Sequence, residues 1–443
     1  MRYCIIILCV IWNAATLAAN DMQRFTLDNG LKIIVKEDHR FPVVVSQIWY
    51  NIGSADEPGG LSGISHVLEH MMFKETTKYP VGYFAKTIAA LGGQENAMTN
   101  YDYTVYFASL ASAKLATALE LEAIRMQNLV FNAAEFAKEI KVIQEERRLR
   151  TDNNPEAITY ERYMAEAYLS IPYHHPIIGW MNDLKEMQVA DVKAWYANFY
   201  APNNATLVVV GDVKPNQVYQ LAKIYFDAIP RHPNYLRKQQ VEPPNTGPKF
   251  IKIQRPAKMP FLMLGYTVPS IKTSTTDWDI YALELIAGIL DAGEGSRLSK
   301  NLIQKKFIAN NIEVYYNPYT RYQTQFIITA IPAKLRSVDE LRRAILSEIQ
   351  NLQTTLIKSE ELARIKTQLI AQKTFEKDSM FEQAMEIGIF EILGIPQAEI
   401  TTHANKLKNI TPEQIRQAAR NYFQASTIVE AQLIPQPIAY TKG

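Results

Sequence analysis

One order of elements occurs twice in this chain, on either side of KQQVEPPNTGPKF (Lys238–Phe250), and nothing else in the sequence restricts the fold as much. In the first copy the strand VVVSQIWYNIG precedes a helix that contains GISHVLEHMMF. Next come the alternating stretch AMTNYDYTVYFASL, two long helices (AKLATALELEAIRMQNLVF and AAEFAKEIKVIQEERRL) and the closing VKAWYANFYAPNNATLVVVGDV. In the second, PFLMLGYTVP precedes DIYALELIAGIL, followed by IEVYYNPYTRYQTQFIITAIP, the helices VDELRRAILSEIQNL and SEELARIKTQLIAQKTF, and the closing IRQAARNYFQASTIVEAQLIP. Strands with a period of two, rich in aromatic and β-branched residues and interleaved with amphipathic helices, predict an α+β sandwich in each half, an antiparallel-rich sheet covered by helices. The pattern is that of an internal duplication. Lys238–Phe250, with its three prolines and a glycine, reads as the link. The expected units are residues 20–238, a linker at 239–248, and residues 249–443.

The N-terminus has a different character. Met1-Arg2 is followed by an apolar run, Ile5–Trp12, and then by small residues at Ala18 and Ala19. A positive start, a short apolar stretch and a small-residue exit predict a secretory signal over residues 1–19, and so export, to a bacterial periplasm. No stretch approaches the ~20 apolar residues of a membrane span. Both cysteines, Cys4 and Cys9, lie inside this signal. The mature chain therefore has no disulfide, thiolate metal site or cysteine nucleophile, and any metal must be held by His, Asp or Glu. With a net charge of +2 and no long block of Lys or Arg, the chain has no electrostatic footprint for nucleic acid.

In GISHVLEHMMF, Ile64, Val67, Leu68, Met71 and Met72 make one apolar stripe of a helix, and His66, Glu69 and His70 cluster opposite it. Histidines at i and i+4 stand one turn apart, close enough for both imidazoles to grip one ion. Glu69 lies beside them, where it can take a proton from a water activated there. The same residues also suit an ordinary polar helix face, so the motif alone leaves both readings open.

A catalytic zinc site takes a third protein ligand and leaves a position for water. EFAKEIKVIQEERRL (Glu135–Leu149) offers a candidate, because Glu139 and Glu146 fall within a stripe built from Phe136, Ile140, Val142 and Ile143, whereas Glu145 points to the polar side. A carboxylate on a buried stripe costs free energy unless it is paired or bound to a cation. This favours Glu146 as the third ligand. Glu139 is either a supporting partner of the site or one half of a helix-surface pair with a nearby Lys or Arg.

HVLEH followed by VIQEERRL resembles the inverted-motif zinc peptidases of the pitrilysin and insulinase group, which includes mitochondrial processing peptidases and bacterial two-subunit relatives. LGGQENAMTNYDYTVYF, PYHHPIIG and NATLVVVGDV are similar to further segments of that family, so the resemblance runs over nearly the whole mature chain. It implies that His66, His70 and Glu146 bind one zinc ion per chain, that Glu69 activates water, and that Glu139 supports the site. Zinc in such a site polarises the scissile carbonyl and brings the pKa of a bound water to ~7; Glu69 would take the proton and pass it to the leaving amine. Asn96 and Ala97 match the strand edge at which relatives bind a peptide or unfolded protein segment as an added strand.

One departure limits this picture. Active relatives present an Arg, with a Tyr seven positions later, that holds the substrate carbonyl and stabilises the oxyanion. The positions that best align with that pair are Gln304 and Asn311, and the second half has no His-x-x-Glu-His. The resemblance therefore implies a hetero-oligomer in which a homologous chain supplies the Arg/Tyr pair, a homodimer being the other arrangement. A noncatalytic scaffold or peptide-binding subunit is the competing expectation. His174 and His175 read as loop structure, and His39, His232 and His403 as isolated surface or capping residues.

Overall fold

The computed structural model describes residues 22–437. The signal expected at 1–19, with Cys4 and Cys9, lies outside them. Strands β1 (Met22–Thr26), β2 (Lys32–Glu37), β3 (Val43–Tyr50), β4 (Gln94–Thr99), β5 (Thr104–Ala111) and β6 (Ala205–Gly211) form one sheet in the order β1-β2-β6-β3-β5-β4. Strands β7 (Lys249–Pro256), β8 (Phe261–Val268), β9 (Ala309–Tyr316), β10 (Thr324–Pro332) and β11 (Val429–Gln436) form the other, in the order β7-β11-β8-β10-β9. One parallel pair occurs in each, β2 with β6 and β7 with β11, and the remaining pairs are antiparallel. Strand order and direction thus repeat between the halves, with β1 an addition to the first.

The helices repeat as well. The first half carries α1 (Ile64–Met71), α2 (Leu115–Asn128), α3 (Ala133–Arg147), α4 (Pro155–Ala167) and α5 (Val189–Phe199). Their counterparts are α6 (Asp279–Asp291), α7 (Val338–Thr354), α8 (Ser359–Glu376), α9 (Met380–Leu393) and α10 (Pro412–Tyr422). Local chemistry sets several starts: Asn132, Asn154, Ser337 and Ser379 each accept main-chain N–H bonds at a helix N-terminus. Both halves are α+β sandwiches, as the repeat predicts. Between Phe226 and Lys249 there is no helix or strand. That segment is strapped down by Glu242, which accepts N–H bonds from Leu169, Ser170 and Ile171 at 2.5, 3.0 and 2.9 Å.

The central strands are buried on both faces. Every residue of β6 is buried, and so is every residue of β3 after Val43. Such strands need cover on two sides. One cover is local: α1, α2 and α5 pack into the main core of the first half. The other is exchanged. Helix α9, from the second half, sets Met380, Ala384 and Ile387 against Ile34, Val45, Trp49, Val208 and Val210 of the first sheet. Helix α4, from the first half, sets Tyr163, Met164 and Ala167 against Phe261, Met263, Val429 and Ala431 of the second. Glycine makes both contacts fit. A Cβ on Gly388 would lie 2.0 Å from the Trp49 ring, and one on Gly265 would lie 1.8 Å from the Tyr163 hydroxyl oxygen.

Two expectations about side chains are corrected here. Val142 is 51% exposed and does not belong to the buried stripe of α3. His403 is buried rather than at the surface, its Nε2 2.8 Å from Glu284 Oε2.

Candidate metal centre

Helix α1 begins at a tight spot. Gly63 precedes it with φ +87°, and a Cβ there would lie 2.5 Å from the Ile178 carbonyl oxygen, so this turn requires glycine. The first turn of a helix leaves N–H groups without partners. Buried Glu57 accepts two N–H bonds at this end, from Gly63 at 2.7 Å and Ser65 at 2.8 Å. Ile64, Val67, Leu68, Met71 and Met72 are all buried, as the wheel predicts. The opposite face, with His66, Glu69 and His70, is thereby aimed at α3 and β4, which both pack along α1.

Helix α3 brings the carboxylates. His66 Nε2 and His70 Nε2 lie 3.9 and 3.5 Å from the same Glu146 oxygen, beyond good hydrogen-bond distance. One potential ligand atom from each of the three residues falls within 4.8 Å of the others. The His66 and His70 rings stand edge to face, 4.7 Å between centroids. Glu139 accepts from His70 Nδ1 at 2.9 Å and pairs with Lys74 at 2.5 Å. The expected helix-surface pair within its own helix is replaced by this pair with Lys74, which follows α1. Arg150 pairs with the other Glu146 oxygen at 2.6 Å. Glu145 is turned away into a pair with Arg148.

The electrostatics follow from burial and these partners. Burial, and then the neighbouring His70, hold the His66 pKa down at about 4, so His66 is a neutral imidazole. Burial also works against a charged His70, but the Glu139 and Glu146 carboxylates outweigh it and raise that pKa to about 9. Burial raises Glu69, partly offset by the Thr99 hydroxyl, which donates to its Oε2 at 2.5 Å. The nearby His70 lowers Glu146.

This donor set fits a zinc ion. Two imidazole nitrogens and a carboxylate oxygen are zinc's usual ligands, and their spacing is too long for hydrogen bonds while converging on one point. His70 has the orienting carboxylate expected behind a metal-bound histidine, whereas His66 Nδ1 is buried without a hydrogen-bond partner.

Asn96 and Ala97 lie on β4, opposite Phe107 and Tyr106 of β5. As the end strand of its sheet, β4 has one edge free of strand partners. Gln304 and Asn311 lie in the second half, where Gln304 donates to the Glu294 carbonyl and Asn311 to Glu313. Sequence reasoning did not find Glu57, Lys74, Thr99 or Arg150. Thr99 was within reach, because strand alternation puts it on the same face as Ala97. Glu57 had no such signal, since nothing in its local sequence reports what it caps.

A sequence profile described as insulinase (peptidase family M16) matches residues 32–179, and one described as peptidase M16 inactive domain matches residues 186–369. Zinc protease PqqE of Helicobacter pylori is 32% identical over 354 residues, which cover 78% of this chain and 77% of that one. The chain belongs to the M16 peptidase family. A further relative, an uncharacterized zinc protease of Rickettsia felis, is 28% identical and aligns over 90% of this chain and 95% of its own. Among solved structures, a protease from Helicobacter pylori superposes with a TM-score of 0.89 at 28% identity, covering 94% of this chain and 99% of that one. The periplasmic protease PqqL of Escherichia coli shares the fold, with a TM-score of 0.78 at 18% identity over 95% of this chain and 49% of its own. M16 membership accounts for the asymmetry of the two halves: α1 carries the His-x-x-Glu-His motif, and its counterpart α6 reads DIYALELIAGILD.

Proposed function

We propose that the chain is the metal-bearing subunit of an exported zinc-dependent endopeptidase that hydrolyses peptides or unfolded protein segments. Residues 20–238 would be the zinc-binding unit, 239–248 the link, and 249–443 a second unit without a metal motif. His66, His70 and Glu146 would hold one zinc ion per chain. The observation that carries this reading is the convergence of their ligand atoms within 4.8 Å, beside a buried Glu69 held by Thr99. The names of the relatives, zinc proteases, support it.

Bound there, zinc supplies Lewis acidity that polarises a carbonyl and makes a water acidic near neutral pH. Glu69 takes the proton from the attacking water and delivers it to the leaving amine, and burial raises its pKa above the usual carboxylate value, which strengthens it as a base. The Thr99 hydroxyl fixes the rotation of the Glu69 carboxylate. Glu139 orients the His70 ring by accepting from Nδ1. The free edge of β4, at Asn96 and Ala97, takes the substrate as an added antiparallel strand, so that main-chain bonds give sequence-tolerant binding.

A secretory signal at 1–19 would direct the enzyme to a bacterial periplasm; no helix among the described residues is long and apolar enough to cross a membrane. Gln304 and Asn311 stand where an Arg/Tyr pair is expected, so a homologous partner chain would complete the oxyanion site. A test is to purify the chain with its native partner and measure zinc content and peptide cleavage. Glu69→Gln is expected to keep zinc and lose turnover by about 10²–10⁴-fold. If function is unchanged in that variant, the chain is a scaffold or peptide-binding subunit. Full-rate cleavage by the lone monomer would remove the partner from the proposal.

A further inference from the structure

The loop between β9 and β10, in the second half, sends one side chain into the first. Arg321 Nη1 lies 3.2 Å from Asp56 Oδ1, and its Nη2 donates to the Asp102 carbonyl oxygen at 2.7 Å. The Arg321 main-chain N–H donates to Asp102 Oδ2 at 3.0 Å, and the Tyr173 hydroxyl donates to both Asp102 oxygens, at 2.8 and 2.7 Å. Arg237, from the segment joining the halves, grips Asp56 from another side at 2.5 Å. The Asp56 and Asp102 side chains are only 3% and 4% exposed, so these pairs are shielded from water and salt.

The two tethered loops lead to the two sides of the candidate metal centre. Asp56 is followed directly by Glu57, whose carboxylate holds the first N–H groups of α1, the helix of His66, Glu69 and His70. Asp102 sits in the β4–β5 turn, shortly after Thr99, whose hydroxyl holds Glu69. The same loops also touch each other, through Ser54 N–H to the Asn100 carbonyl and Ala55 N–H to the Tyr101 carbonyl, at 3.0 and 2.9 Å.

We infer that Arg321 is a positioning residue: from the metal-free half it clamps the loop before α1 to the turn after β4, and so fixes Thr99 of β4 against Glu69 on the helix that carries His66 and His70. A guanidinium suits this task because its planar fork holds a carboxylate and a carbonyl in a fixed relative orientation, whereas an ammonium is a compact charge with freely rotating donors. The second half thereby contributes alignment to the first half's chemistry. The inference rests on the peptidase reading for its effect on turnover, and on geometry alone for its effect on the two loops.

The test uses the intact zinc-loaded chain with its partner, and compares Arg321→Met, Arg321→Lys and the control Arg342→Met. Arg342 pairs with Glu430 inside the second half at 2.6 Å, away from both loops. Arg321→Met is expected to retain zinc and lower kcat by about 10–100-fold with KM little changed. Arg321→Lys should restore part of the loss, and the control should keep wild-type kcat even if its melting temperature falls. Hydrogen exchange supplies a readout independent of activity: amides at the start of α1 and around Thr99 should exchange faster in Arg321→Met and not in the control. Wild-type kcat together with unchanged exchange in Arg321→Met would overturn the clamp, as would equal effects in the control. If the wild-type complex has no peptidase activity, the proposed function fails, and the exchange data alone decide the clamp.

Discussion

His70 faces two carboxylates through its two ring nitrogens, Glu139 at Nδ1 and Glu146 at Nε2. Glu139 therefore sets which nitrogen is free to bind an ion. Glu139→Gln is expected to weaken zinc binding by about 10–100-fold without unfolding the chain, as measured by chelator competition alongside thermal melts. A second residue-scale prediction concerns Glu95 on β4. Burial pushes its pKa up to about 7, against the pull of Arg125, and its Oε2 is buried without a hydrogen-bond partner. The folded chain thus binds a proton at Glu95 that the unfolded chain releases near pH 4.5. Stability from this residue is full below that pH and declines as pH rises towards 7. Denaturation curves of the wild type should fall relative to Glu95→Gln across this window, and parallel curves would refute the assignment. At this scale the sequence disclosed what local spacing encodes: His66, Glu69 and His70 share a turn, and the wheel separates Glu146 from Glu145. Glu57 and Arg321 act through contacts that span loops and halves, and no periodicity records those.

Among elements, the repeat was legible because strand and helix periods survive where residue identity does not. Which sheet a helix covers was not legible. Helices α4 and α9 carry apolar faces that suit either sheet, and the exchange emerges only from packing. Gly388 gives a quantitative test. Alanine in the middle of a helix gains about 1 kcal/mol over glycine. Here the added methyl would meet the Trp49 ring at 2.0 Å, and overpacking of this kind costs about 1–3 kcal/mol. Gly388→Ala should therefore lower the melting temperature despite its better propensity. Gly247→Ala, with nothing within 4 Å of the new Cβ, should leave it unchanged.

In the whole molecule, the exchanged helices decide how the chain can move. Pulling the halves apart would bare Trp49, Val208 and Met263 to water and break the Arg321 and Arg237 pairs. The link between the halves therefore does not act as a hinge, although it holds three prolines and a glycine. The only cysteines are Cys4 and Cys9, so with both replaced by Ser, dyes on Lys223→Cys and Lys358→Cys would report one inter-half distance. That distance should stay single-valued when peptide is added, and two populations would contradict the locked arrangement. If the chain works with a partner as proposed, the door to the candidate metal centre would lie between separate chains. The share of chains open to substrate would then follow the dissociation equilibrium of two rigid subunits, and would change with protein concentration in a way that a self-opening clamshell would not.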